Sequence, residues 1–160
     1  VTTNPSRPQA GTTPTRTPRT ASRTPRTTRR TPLKQTPLPW TPPFGLGIHL
    51  QPAGEWWDAV KVPAGTARDV LDWLGARSGA VIDDDRQRAW YWLVPLGTAA
   101  QWLVPGTRPC GPGTFVGVPG TLQTLGPGPH WRVTMAPDRF LTDPDALRAA
   151  LATARLRTPS

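Results

Sequence analysis

Ala80-Val81-Ile82-Asp83-Asp84-Asp85-Arg86-Gln87-Arg88-Ala89-Trp90-Tyr91-Trp92-Leu93-Val94 is the stretch that decides the fold. Two runs rich in β-branched and aromatic residues, 80–82 and 89–94, flank a polar connection of hairpin length, Asp83 to Arg88. The two runs are expected to pair antiparallel. Along the second run, alternation sends Trp90, Trp92 and Val94 to one side and Tyr91 and Leu93 to the other. Both sides are apolar, which places this strand in the middle of a sheet.

Reading outward from the hairpin gives the remaining elements. Upstream, Trp57, Ala59 and Val62 alternate with polar neighbours in a strand over 56–62 that Pro63 stops. Thr66 is the expected cap of a helix whose apolar positions Ala67, Val70, Leu71 and Leu74 recur at spacings of three and four, with Gly75 or Gly79 to end it. Downstream, 97–103 reads as a short helical turn. Thr114–Val118 and His130–Met135 read as two more strands between Pro- and Gly-rich links. Thr142-Asp143-Pro144-Asp145 supplies a cap, an initial Pro and early carboxylates for a closing helix that carries Ala146, Leu147, Ala150, Leu151 and Ala154. The expected fold is one α+β domain over 44–160, a small, mostly antiparallel sheet of about five strands with two main helices.

Residues 1–43 are different material. They hold ten Pro, thirteen Thr and one Gly, and their large apolar residues, Leu33, Leu38 and Trp40, come only at the end. Eight of the 19 basic residues and none of the 10 acids fall in 1–39, so this segment carries most of the +9 formal charge. Proline withholds backbone donors and Arg repulsion extends the chain, so a disordered tail with polyproline character is expected. It contains a repeat, Arg16-Thr17-Pro18-Arg19-Thr20, which returns seven residues later as Arg23-Thr24-Pro25-Arg26-Thr27. Closely spaced cations at Arg16, Arg19, Arg23, Arg26, Arg29 and Arg30 suit sequence-independent binding to phosphates through counterion release. A solvated linker is the competing reading.

Composition removes several classes. No apolar run approaches a membrane span, and no apolar stretch follows the first basic residues, so neither a membrane partner nor a secretory leader is expected and the cytoplasm is the expected setting. The one cysteine, Cys110, allows no internal disulfide and no Cys-rich zinc site. No Gly-x-Ser-x-Gly and no Walker loop is present, which leaves nucleophilic and P-loop chemistry unsupported.

Two groups of residues remain as candidates. Asp83 and Asp85 have the spacing at which two carboxylates share a face and hold Mg²⁺, against the reading of a solvated hairpin turn. His130, Trp131 and Arg132 follow a tight Gly-Pro turn, where Arg132 and His130 suit a phosphate contact and Trp131 a stacked base. Most of the eight Trp are needed for the core of so small a domain.

Trp57-Asp58-Ala59-Val60-Lys61-Val62-Pro63, Ser78-Gly79-Ala80-Val81-Ile82, Trp90-Tyr91-Trp92-Leu93-Val94-Pro95, Gly111-Pro112-Gly113-Thr114-Phe115-Val116-Gly117-Val118-Pro119 and Gly128-Pro129-His130-Trp131-Arg132-Val133 together resemble a family of small actinobacterial proteins of unknown function. More remotely, residues 55–152 are similar to part of the N-terminal domain of actinobacterial bifunctional primase/polymerase-like proteins. That resemblance implies paired acids on a strand with a histidine nearby, for which Asp83, Asp85 and His130 are the candidates. It also implies a chain too short for a complete catalytic domain. The leading expectation is therefore a non-enzymatic module that binds nucleic acid through its tail, with Arg132 and Trp as secondary contacts and no cofactor. The alternatives are a Mg²⁺-dependent nucleotidyltransferase remnant and a protein-interaction module whose segment Pro32 to Pro43 docks in a partner's aromatic groove.

Overall fold

The computed structural model describes residues 39–157. In chain order the strands are β1 (Ile48–Pro52), β2 (Asp58–Pro63), β3 (Val81–Asp84), β4 (Ala89–Val94), β5 (Arg108–Cys110), β6 (Phe115–Pro119) and β7 (Pro129–Val133). The helices are α1 (Ala64–Leu74) and α2 (Pro144–Arg157). The fold is α+β, with an antiparallel sheet of order β5-β2-β4-β3-β7 and a separate antiparallel ribbon of β1 and β6.

The central position of β4 follows from its sequence. Trp90, Trp92 and Val94 enter one core with Val60 and Val62 of β2, Ala67, Val70 and Leu74 of α1, and Leu147, Ala150, Leu151 and Ala154 of α2. Tyr91 and Leu93 enter a second core with Ala59, Ile82, Trp131 and the inward residues Val116 and Val118 of β6. The sheet thus has helices on one face and the ribbon with its loops on the other. Each large apolar side chain so buried contributes about 1.5–3 kcal/mol.

The hairpin connection is shorter than its polar run. Asp83 and Asp84 remain paired in β3, opposite Trp90 and Ala89, so only Asp85 to Arg88 form the turn. Asp84 closes that turn, accepting from the Arg86 amide (3.1 Å), the Gln87 amide (3.3 Å) and Gln87 Nε2 (2.9 Å). Its carboxylate therefore holds local structure and is buried.

Several local expectations are corrected. Thr66 does not cap α1, because β2 runs directly into the helix at Pro63 and the Ala64 amide donates to Arg88 O at 2.9 Å. Gly75, at φ +53, ends α1 as expected. Asp143 caps α2 by accepting from the Ala146 amide at 2.9 Å, whereas Thr142 is fully buried and accepts from Gly79 N at 2.8 Å. The strand expected at 114–118 forms as β6, but it joins β1 in the ribbon and leaves the place in the main sheet to β5. Trp40, assigned to the tail by composition, meets Trp57 edge-on at 5.5 Å between ring centroids, and Pro42 is buried beside it in the chain.

Candidate functional site

Asp83, His130 and Arg132 meet across the β3–β7 pair. Register shifts between Val81 and Ile82, whose partners are Val133 and Trp131, so Arg132 is the extra residue of a β-bulge. Strand alternation puts Arg132, two residues after His130, on the helix side of the sheet, and the bulge brings Val133 to that side as well. There Arg132 Nη2 donates to Asp83 Oδ2 at 2.6 Å, and its Cζ stands 4.6 Å from the Trp90 ring centroid. A salt bridge and a cation–π contact thus fix one guanidinium from two directions.

His130 sits opposite Asp83 in the register. Its Nδ1 lies 2.8 Å from Gly128 O, and because a carbonyl only accepts, Nδ1 carries the proton. Nε2 faces Asp83 Oδ2 at 3.6 Å. Asp85, at the start of the turn, reaches across to the same loop and accepts from the Gly128 amide at 2.7 Å. Its other oxygen lies where a Cβ on residue 126 would stand, so glycine at Gly126 is what permits the approach.

These residues form one wall of a cleft of about 340 Å³. Arg68 and Ala64 of α1, Arg88 of the hairpin turn and Trp90 supply the rest. Three arginines therefore line the cleft with two aspartates, and both carboxylates already accept hydrogen bonds from within the protein. Among the described residues Arg68 and Arg88 form no ion pair. A second cleft of about 470 Å³, lined by Lys61, Gln87, Arg88 and Arg108 among others, adjoins the first at Arg88. In it Lys61 Nζ donates to Gln87 Oε1 at 2.7 Å and stands 5.7 Å from the Tyr91 ring centroid. Burial above all, with the negative charges of Cys110 and Asp84 adding, pushes the Tyr91 phenol up to about 12. Burial likewise pushes the Cys110 thiol up.

The fold brings Asp83, Asp85, His130 and Arg132, two separate groups in the sequence, to one cleft. The metal reading of Asp83 and Asp85 does not fit the arrangement, because Asp83 is paired with Arg132 and Asp85 with the Gly128 amide. Among the described residues no three His, Cys, Asp or Glu side chains are grouped to hold a metal ion. The solvated-turn reading is also corrected for Asp83, which is a buried strand residue. Trp131 is corrected as a base-stacking contact: it is 3% exposed, and its Nε1 donates to Pro119 O and Gly120 O at 3.0 Å each. Trp56 and Trp73 are the most exposed tryptophans among the described residues, and Arg77 covers the Trp73 ring at 4.6 Å. Arg16, Arg19, Arg23, Arg26, Arg29 and Arg30 lie outside the described residues, as do residues 32–38 of the Pro-rich segment.

Sequence reasoning missed Arg68 and the part played by Arg88. Arg68 lies on the polar side of an amphipathic helix, where an arginine gives no signal of its own. Comparison with known proteins adds no identity: no family model, curated protein or solved structure matches the chain. No helix among the described residues is long and apolar enough to cross a membrane.

Proposed function

We propose that the protein is a non-enzymatic nucleic-acid-binding module, in which a basic end of the sheet and the Arg-rich residues 1–39 act on the same strand. The observation that carries this reading is the pair of adjoining clefts that share Arg88, with Arg68 and Arg132 on one side and Lys61 and Arg108 on the other. Cations gathered in two clefts at the hairpin end of the sheet attract a polyanion, and the eight basic residues at 1–39 strengthen that attraction without sequence choice. The resemblance to primase/polymerase-like proteins points the same way. Pairing of Asp83 with Arg132 argues for binding without nucleotidyl transfer. One buried free thiol, Cys110, suits the reducing cytoplasm as the setting.

Fluorescence anisotropy of labelled single- and double-stranded DNA with the full chain tests this reading. Affinity should fall at least about tenfold between 50 and 200 mM salt. Absence of binding, or binding indifferent to salt, would sink it.

A second reading has its own observation. The outer face of the β1–β6 ribbon exposes Ile48, Leu50 and Phe115, and Phe44 and Leu46 precede it, an apolar surface of the kind that meets another protein. Sedimentation of the wild type and of Leu50→Glu at the same concentration tests for self-association through that face.

A further inference from the structure

The cleft between α1, the hairpin turn and β7 has the features of a receptor for a single tetrahedral anion. We infer that it is a phosphate-binding pocket, with Arg68, Arg88 and Arg132 holding the phosphate oxygens. The inference rests on the nucleic-acid reading above and assigns the pocket's ligand chemistry.

Four observations converge on it. First, the three arginines that line this space of about 340 Å³ come from a helix, a turn and a strand far apart in sequence, and so reach it from three different elements. That arrangement suits the oxygens of a tetrahedral group better than a planar carboxylate, and the volume suits one phosphate with its sugar.

Second, Arg132 is oriented in advance. Asp83, only 6% exposed at its side chain, holds one terminal nitrogen of an arginine that is itself 42% exposed, while Trp90 supports the flat of the group. A guanidinium has five N–H donors, and the Asp83 contact uses Nη2 alone.

Third, Arg88 adopts φ +54, the one positive φ at a described residue other than glycine. Glycine or asparagine fits this left-handed position at the end of a hairpin turn with less strain. Arginine there directs a side chain into the cleft at the expense of the backbone, as strained residues at functional sites do.

Fourth, Ala64, the first residue of α1, lines the cleft, and α1 has neither a side-chain cap nor an acidic residue in its first turn. The positive end of the helix therefore adds to the field of the arginines.

The phosphate can be the terminal monoester of a strand or an internal diester, and one experiment separates the two. The full-length wild type, Arg88→Gly and Arg68→Ala are titrated by calorimetry with inorganic phosphate at constant ionic strength. They are then titrated with one oligonucleotide carrying either a 5′-phosphate or a 5′-hydroxyl. Arg88→Gly should melt higher than the wild type, because glycine relieves the left-handed strain, and yet bind phosphate about tenfold more weakly or worse. The higher melting point shows that the loss is not unfolding. Arg68→Ala, on an exposed helix face, should lose a similar factor with its melting point unchanged.

A loss confined to the 5′-phosphorylated oligonucleotide assigns the terminal monoester, and an equal loss for both assigns the diester. Phosphate affinity unchanged in both variants overturns the pocket. If oligonucleotide binding persists at the same time, the nucleic-acid reading stands without it. Variant-sensitive phosphate binding by a chain that ignores both oligonucleotides overturns that reading and leaves the pocket.

Discussion

Replacing Arg132 by Met keeps an apolar stem over Trp90 but removes the cation that faces Asp83. Asp83 Oδ2 then loses its 2.6 Å partner and keeps only His130 Nε2 at 3.6 Å, in a residue that is 4% exposed. Removing one partner of a fully buried pair costs about 3–5 kcal/mol, and an exposed pair is worth about 0.2–1 kcal/mol. With Arg132 less than half exposed, Arg132→Met should cost about 2 kcal/mol. Asp83→Ala leaves an arginine that water can solvate and should cost about 1 kcal/mol. The double variant removes the uncompensated carboxylate with its partner, so it too should cost about 1 kcal/mol, well short of the sum. The coupling is then about 2 kcal/mol, within the range of contacting charged residues. In a domain of this size 1 kcal/mol moves the melting temperature by about 4 °C. Urea denaturation of the four proteins of the cycle measures the coupling. If the single costs add to within about 0.5 kcal/mol, Asp83 does not hold Arg132, and the cleft has no ordered wall on this side.

Other parts of the fold give independent tests. A Cβ on residue 79 would stand 2.7 Å from Phe140 O and from Leu141 C, so Gly79→Ala should destabilise by about 2–3 kcal/mol, read as a lower urea midpoint. Tyr91 and Cys110 link stability to alkaline pH. The phenol ionises near 10.0 when unfolded and about 12 when folded, so the folded state retains a proton that the unfolded chain has released. Stability from this group is intact below pH 10 and declines as pH rises from 10 to 12, by roughly 2–3 kcal/mol in total. Tyr91→Phe should flatten that decline in urea titrations across the same range. The Cys110 thiol, raised by burial above all, should label slowly with a thiol reagent at pH 8 in the native protein and rapidly in denaturant.

The sequence was most legible where burial and periodicity agree. Trp90 to Val94 alternate between two apolar faces, and the strand they form is the middle one. The spacing of Ala67, Val70 and Leu74 likewise made α1 visible. Strands β1 and β5 were not legible, because the first is largely exposed and the second is three residues long with Pro109 at its centre. The site was legible in part. Asp83, Asp85, His130 and Arg132 stood out as residue types in the right strands, but their partners did not. The pairing of Asp83 with Arg132 depends on which strand β7 joins and in what register, and neither leaves a mark in a run such as His130-Trp131-Arg132-Val133. The helix end beside the cleft was misplaced as well: α1 starts three residues earlier than a cap at Thr66 implies, with Ala64 tied to Arg88 O. Trp131 illustrates the reverse case: its type suits stacking on a base, yet its indole is needed beneath the ribbon.

The salt dependence of single-stranded DNA binding by the full chain and by the Arg68→Ala/Arg88→Gly variant tests the central claim most directly. Both substitutions remove cations from one cleft and leave residues 1–39 intact. Weaker binding is expected, with a log-affinity against log-salt slope shallower by about 0.7, the value for neutralising one phosphate fewer on a single strand. Equal affinity and equal slope for the two proteins would contradict the account and confine nucleic-acid binding to other parts of the chain.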